Sequence, residues 1–118
     1  MSAVLVVDDD PCCAEELAEA LEDAGLAVSW SSDSEEALRC GADPSLRLVI
    51  TDLRMPGIGG ERLIAMLHAE RPELRFIVIT GHAGHADDPF TGGNEILARF
   101  GKPVRSLAVV KLCQEALA

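Results

Sequence analysis

Three runs, Val4-Leu5-Val6-Val7, Leu48-Val49-Ile50 and Phe76-Ile77-Val78-Ile79, are apolar without interruption and end at or near a polar residue. Unbroken apolar runs of this length, bounded by turn residues, read as strands buried on both faces, an environment found almost only in parallel sheets covered by helices on each side. Helical spacing fills the intervals. Pro11 suits a first helical turn, Ala14, Leu17, Ala18 and Leu21 keep one helical face apolar, and Gly25 stands where a left-handed cap ends a helix. Ala27 to Ser31 reads as a further strand. Ser32, Asp33 or Ser34 then caps a helix through Leu38, which Gly41-Ala42-Asp43-Pro44 breaks.

Beyond the second apolar run, Met55-Pro56-Gly57 forces a turn, and Leu63, Ile64, Met66 and Leu67 recur at helical spacing between Glu61 and Glu70. Arg71-Pro72 ends that helix. After the Phe76–Ile79 run, the region from His82 to Asn94 has few apolar positions among its glycines, and a loop or short loose helix is expected there. Ile96 to Phe100 makes a last short strand, Gly101-Lys102-Pro103 turns, and Leu107, Val110 and Leu117 mark a closing helix. Five strands alternating with about five helices predict an α/β fold, a doubly wound five-stranded parallel sheet joined by right-handed crossovers.

The 118 residues suffice for one domain with its own core, so residues 1–118 are taken as a single unit. No apolar run approaches the roughly 18 residues that span a bilayer, and the amino terminus lacks a signal-peptide pattern, so the expected location is the cytoplasm, with no membrane partner. Cys12, Cys13, Cys40 and Cys113 lack zinc-site spacing and read as free thiols. With 20 acidic against 10 basic residues the formal charge is −10, which argues against direct nucleic acid binding.

In one parallel sheet, the carboxyl ends of these strands collect Asp8, Asp9, Asp52, Thr80 and Lys102, and the crevice at that edge is where ligands bind in open α/β sheets. Three carboxylates in one pocket raise each other's pKa unless a cation joins them. Few oxygen ligands with room for water suit Mg²⁺, which favours phosphate oxygens as partners. A hydroxyl at Thr80 and an ammonium at Lys102 are the donors a transferred phosphoryl group requires, with Asp52 as the nucleophile.

With these residues in place, the chain resembles a receiver domain of two-component response regulators over nearly its whole length. The resemblance is carried by the acid pair in Val6-Val7-Asp8-Asp9, by Thr51-Asp52-Leu53-Arg54-Met55-Pro56, by Ile79-Thr80-Gly81 and by Lys102-Pro103. It implies the flavodoxin-like receiver fold. It implies that Asp52 is the phosphoacceptor, supplied by a histidine kinase or a histidine phosphotransfer protein, and that Thr80 and Lys102 assist the transfer. It also implies a Mg²⁺ site formed by Asp8, Asp9, Asp52 and the backbone carbonyl of Arg54, with Asp9 and Asp52 as direct ligands and Asp8 acting through water. His82, two residues after Thr80, would then tune the lifetime of the phosphate. The oligomeric state, including a homodimer, stays open.

Two positions depart from the family's pattern. Gly59 replaces an acid common before the second glycine of the turn, and Arg99 stands where an aromatic switch residue is usual, with Phe100 one step off register. The alternative reading is a pseudo-receiver, an interaction module without regulated phosphorylation. A haloacid dehalogenase type of phosphatase needs a second acid two residues after the nucleophile, where this chain has Arg54. His82 and His85 with Asp87 and Asp88 lack a defined fourth ligand for a metal site. In residues 83–94, Gly84, Gly92 and Gly93 each cost a helix about 1 kcal/mol, and Pro89 disfavours helix at Asp88, so a weak or irregular fourth helix is expected. Arg99 is expected to stay outward, paired with Asp87, Asp88 or Glu95, because an unpaired guanidinium in the core is costly.

Overall fold

All four residues of the first strand, β1 (Val4–Val7), are buried, and they divide between two cores. Val4 and Val6 join one apolar cluster, and Leu5 and Val7 join another. Successive side chains of a strand point to opposite faces, so a run that is apolar throughout is satisfied only where both faces are covered. The structure is a computed structural model that describes residues 2–55, 57–80, 93–102 and 104–118.

The remaining elements are α1 (Pro11–Asp23), β2 (Val28–Ser31), α2 (Ser34–Cys40), β3 (Leu48–Asp52), α3 (Gly60–Glu70), β4 (Arg75–Thr80), β5 (Ile96–Gly101) and α4 (Ser106–Leu117). The strands form one sheet in the order β2-β1-β3-β4-β5, with every pair parallel. The first cluster sets Val4, Val6, Leu48, Ile50, Ile77 and Ile79 against α1 and α4. On the opposite face, Leu5, Val7, Val49, Phe76 and Val78 pack against Ala37 of α2 and Leu63, Ile64 and Leu67 of α3. Each fully buried Val, Leu, Ile or Phe contributes about 1.5–3 kcal/mol relative to exposure, so these two layers hold the strand ends rigidly.

Helix starts follow local chemistry. Asp10 caps α1 by accepting from the Cys12 amide at 3.0 Å, with Pro11 next in line, and Gly25 follows the helix at a φ of 92°. Of the three candidates for the start of α2, Asp33 is the cap, accepting from Glu35 N at 3.1 Å. That helix runs past Leu38 to Cys40. Two apolar positions of the pattern are not core: Leu107 is 84% exposed and Met66 39%, because α4 packs through Val109, Val110 and Cys113, and α3 through Leu63, Ile64 and Leu67. The described residues contain four helices; of the loop or irregular fourth helix expected over residues 82–94, only Gly93 and Asn94 are described, Asn94 in a turn, and the rest lies outside them. No helix among the described residues is long and apolar enough to cross a membrane.

Arg71, just after α3, ties the connection between α2 and β3 to the body of the domain. Its guanidinium donates to the carbonyls of Gly41 at 3.2 Å, Asp43 at 2.7 Å and Leu46 at 2.9 Å. These carbonyls lie in a turn with no ladder to satisfy them, and a planar fork reaches several at once where an ammonium does not. Arg71→Ala is expected to lower the urea-denaturation free energy by about 2 kcal/mol, with Arg71→Lys recovering less than half of it. Loss below about 0.5 kcal/mol would show that water replaces these bonds at no cost.

Candidate functional site

The chain leaves β1 toward β2 on one side and later returns to build β3 on the other, so the strand order reverses between β1 and β3. At such a reversal the connections diverge and leave a crevice at the carboxyl ends of the strands. Register brings the acids together there: Val7 pairs with Thr51, so the residues that follow, Asp8 and Asp52, end adjacent strands. On the far side Ile79 pairs with Asp52 and Thr80 with Gly101, which delivers Lys102 to the same edge.

The Lys102 ammonium lies 2.8 Å from Asp52 Oδ2 and 3.0 Å from Asp8 Oδ2. Both carboxylates are buried, with side chains 5% and 7% exposed, and the lysine is one quarter exposed. The second oxygens are held by the backbone: Asp10 N donates to Asp8 Oδ1 at 3.0 Å, and Arg54 N donates to Asp52 Oδ1 at 3.0 Å. Asp9 is exposed and completes a group of three carboxylates, Asp8, Asp9 and Asp52, with one oxygen of each within 4.8 Å of the others. This all-oxygen set, with two members buried, fits a hard divalent cation. Beside it, a cavity of about 520 Å³ with Val6, Leu17, Ile79 and Val104 in its walls reaches Asp8 and Lys102 from the α1 side.

Burial pushes the Asp8 pKa up, against the hydrogen bond from Asp10 N and the hydrogen bond and charge of Lys102. For Lys102 burial acts downward, but the hydrogen bonds and charges of Asp52 and Asp8 outweigh it and hold the ammonium well above the ordinary lysine range. Asp10 is held below the usual carboxylate range by the Cys13 thiol and the Cys12 and Cys13 amides. The same contact, Cys13 Sγ to Asp10 Oδ2 at 3.3 Å, raises the thiol's pKa, which disfavours the nucleophilic thiolate at this helix start.

The floor of the site depends on a close approach. A Cβ on Gly60, the first residue of α3, would lie 2.1 Å from the Asp52 carbonyl oxygen and 2.7 Å from Leu53 Cα, so only glycine lets the helix start this near the strand end.

The structure brings Asp8, Asp9, Asp52 and Lys102 together as the sequence predicts, and Arg54 joins them through its amide. Thr80 closes β4, and the expectation for its hydroxyl falls outside what is described, as do those for His82, His85, Asp87 and Asp88. Arg99 is exposed, with no ion pair to Glu95 among the described residues, and Phe100 is half-buried against the α1 and α4 cluster. Asp10 is not among the site residues that the sequence singles out, and its first role is to cap α1. Its second role, fixing Asp8 through its own amide, has a local signal in an aspartate directly before Pro11.

A doubly wound five-stranded parallel sheet with an acid pocket and a paired lysine at its reversal point defines an α/β domain built to bind at the carboxyl edge of its strands. Residues 4–98 match the response regulator receiver domain, and the chain belongs to that family. It is 40% identical over 79 residues to the transcriptional regulatory protein FixJ of Azorhizobium caulinodans, covering 67% of this chain and 37% of that protein. It is 37% identical over 106 residues to a response regulator receiver protein of Anaeromyxobacter sp., covering 88% of this chain and 44% of the relative. The chain thus spans less than half the length of these relatives. Among solved structures, a CheY-like receiver domain protein from Methanospirillum hungatei superimposes with a TM-score of 0.86 at 26% identity, covering 99% of this chain and 94% of that one. A receiver domain from Clostridium thermocellum does so with a TM-score of 0.86 at 25% identity, covering the same shares.

The folded pKa of Asp8 lies above its unfolded value of 3.8, so the stability linked to its protonated form is complete below that value and lost as pH rises through the folded one. Ionised Asp8 is therefore a cost at neutral pH, which Lys102 offsets. The lysine's own contribution is full below its unfolded value of 10.5 and disappears only as pH rises above it. Lys102→Met is expected to destabilise by about 2 kcal/mol at pH 7, discounted for the lysine's partial exposure, and by less as pH falls toward 4. Urea denaturation at both pH values checks this, and an equal deficit at the two would contradict it.

Proposed function

We propose that this chain, acting as one domain over residues 1–118, is a signalling receiver whose Asp52 accepts a phosphoryl group from a phosphohistidine of a histidine kinase or phosphotransfer protein. The observation that carries the proposal is the state of Asp52: a buried carboxylate at the sheet's reversal point, with Arg54 N on one oxygen and Lys102 on the other. Nothing in ordinary packing requires a buried acid there.

The transfer uses these groups in turn. A carboxylate oxygen of Asp52 forms a bond to phosphorus as the bond from phosphorus to the donor's imidazole nitrogen breaks, and the electron pair of that bond stays on the leaving nitrogen. Lys102, already 2.8 Å from Asp52, follows the negative charge onto the phosphoryl oxygens, and the Thr80 hydroxyl donates to another of them. Mg²⁺, held by Asp8, Asp9, Asp52 and the Arg54 carbonyl, would supply charge neutralisation between the acids and the phosphoryl oxygens. Hydrolysis of the acyl phosphate by water then restores Asp52, and the phosphorylated interval is the signal. A cytoplasmic setting fits such a donor, and the net charge of −10 argues against nucleic acid contact by this domain. An interaction module without phosphorylation has no observation of its own in the site.

Incubation with acetyl phosphate and Mg²⁺ is expected to add one phosphate to the protein by intact mass, and none to Asp52→Asn. Asp9→Ala is expected to label at least tenfold more slowly at equal Mg²⁺, because it removes a carboxylate of the cation group. Equal labelling of wild type and Asp52→Asn would overturn the assignment.

A further inference from the structure

The segment after Asp52 is closed at its base by one backbone bond, from Gly60 N to the Leu53 carbonyl at 2.9 Å, and among the described residues 54–58 take part in no other backbone–backbone hydrogen bond. Gly59, at the cap position of α3, makes no side-chain cap hydrogen bond. Within the described part of residues 54–59, the side-chain hydrogen bonds that arrive from distant elements both come from Ser34, the first residue of α2. Its hydroxyl donates to the Ile58 carbonyl at 2.6 Å and lies 3.9 Å from Met55 Sδ. Ser34 is 5% exposed, so water does not compete freely for these bonds. The loop in turn holds the acceptor, since Arg54 N donates to Asp52 Oδ1 at 3.0 Å.

We infer that Ser34 is a positioning residue for the cation and phosphoryl site: by fixing the Met55 and Ile58 end of the loop from a neighbouring helix, it sets the Arg54 amide and carbonyl relative to Asp52. The inference rests on the proposed cation site. The physical reason is that a short loop has few ways to hold its backbone. With glycine at position 59 and no cap of its own, a carbonyl fixed at Ile58 removes most of the freedom of the preceding residues. Outer partners of metal ligands act in this way, without touching the ion.

Mg²⁺ affinity is measured by calorimetric titration of the whole chain, and hydrogen exchange is followed at residues 53–60 without metal. Ser34→Ala is expected to weaken Mg²⁺ binding by about tenfold and to speed exchange in that segment, and Ser34→Thr, which keeps the hydroxyl, to restore affinity to within about threefold. Ser31→Ala is the control for a purely structural effect. It removes a buried hydroxyl at the same helix entrance, one that donates to the Asp33 carbonyl at 2.9 Å, accepts from the Asp33 amide at 3.1 Å and makes no hydrogen bond to the loop among the described residues. It is expected to leave Mg²⁺ affinity within twofold of wild type. Unchanged affinity in Ser34→Ala, or an equal loss in Ser31→Ala, overturns the inference while the cation site stands. Absence of Mg²⁺ binding in the wild type overturns the cation site itself.

Discussion

Two carboxylates that cannot both be buried and charged without help, Asp8 and Asp52, share one ammonium, that of Lys102. The rest of the site is arranged around this conflict. Asp52 ends β3 and Asp8 follows β1 directly, with its amide bonded to the Ser31 carbonyl at 3.1 Å, so neither can move away without disturbing the sheet, and each accepts from a backbone amide on its second oxygen. A lone buried carboxylate would be expected to protonate, and the rise in the Asp8 pKa is that tendency. The lysine opposes that tendency at Asp8 through a hydrogen bond and its charge, and it donates to Asp52 at 2.8 Å. Asp9, exposed beside them, adds a third carboxylate at the solvent side where a hydrated ion would enter.

Rigidity comes from the two apolar layers. Strands β1, β3 and β4 send alternate residues to the α1 and α4 layer and to the α2 and α3 layer, so their ends are fixed from both sides. Groups carried on such ends hold their geometry better than groups on loops. The parts that do leave the sheet are held by a few contacts: the turn before β3 by Arg71, which reaches three carbonyls, the start of α3 by the bond from Gly60 N to the Leu53 carbonyl that its bare Cα allows, and the segment before it by Ser34.

Strand β5 shows how a small irregularity redirects side chains. The pairing with β4 shifts between Phe76 and Ile77, so Phe76 faces Ile96 while Ile77 faces Ala98. An extra residue in a strand reverses the alternation beyond it, and Ile96 packs in the α2 and α3 layer while Phe100 packs in the α1 and α4 layer. Arg99, opposite Val78, is left exposed. The aromatic of this strand therefore packs, half-buried, on the face away from α2 and α3, and a long cation occupies the neighbouring position.

The order of elements and the acid pocket were determined by the sequence itself. Apolar runs at Val4–Val7, Leu48–Ile50 and Phe76–Ile79 admit little besides doubly covered parallel strands, and a polar residue at the end of each run is carried to one edge by the common direction of those strands. Helix starts were legible where a cap and Pro11 coincide, and less so at α2, where three adjacent polar residues compete and only packing selects Asp33. Tertiary structure alone decided what depends on distance in space: which apolar residues of α3 and α4 stay outside, the shift in β5, the reach of Arg71 to three carbonyls, and the bond from Ser34 to Ile58 across 24 positions. The physical reason is range. Caps, turns and periodicity are set by neighbours a few residues apart, whereas a hydroxyl's choice between capping its own helix and holding another loop depends on which backbone the packed layers bring within 3 Å.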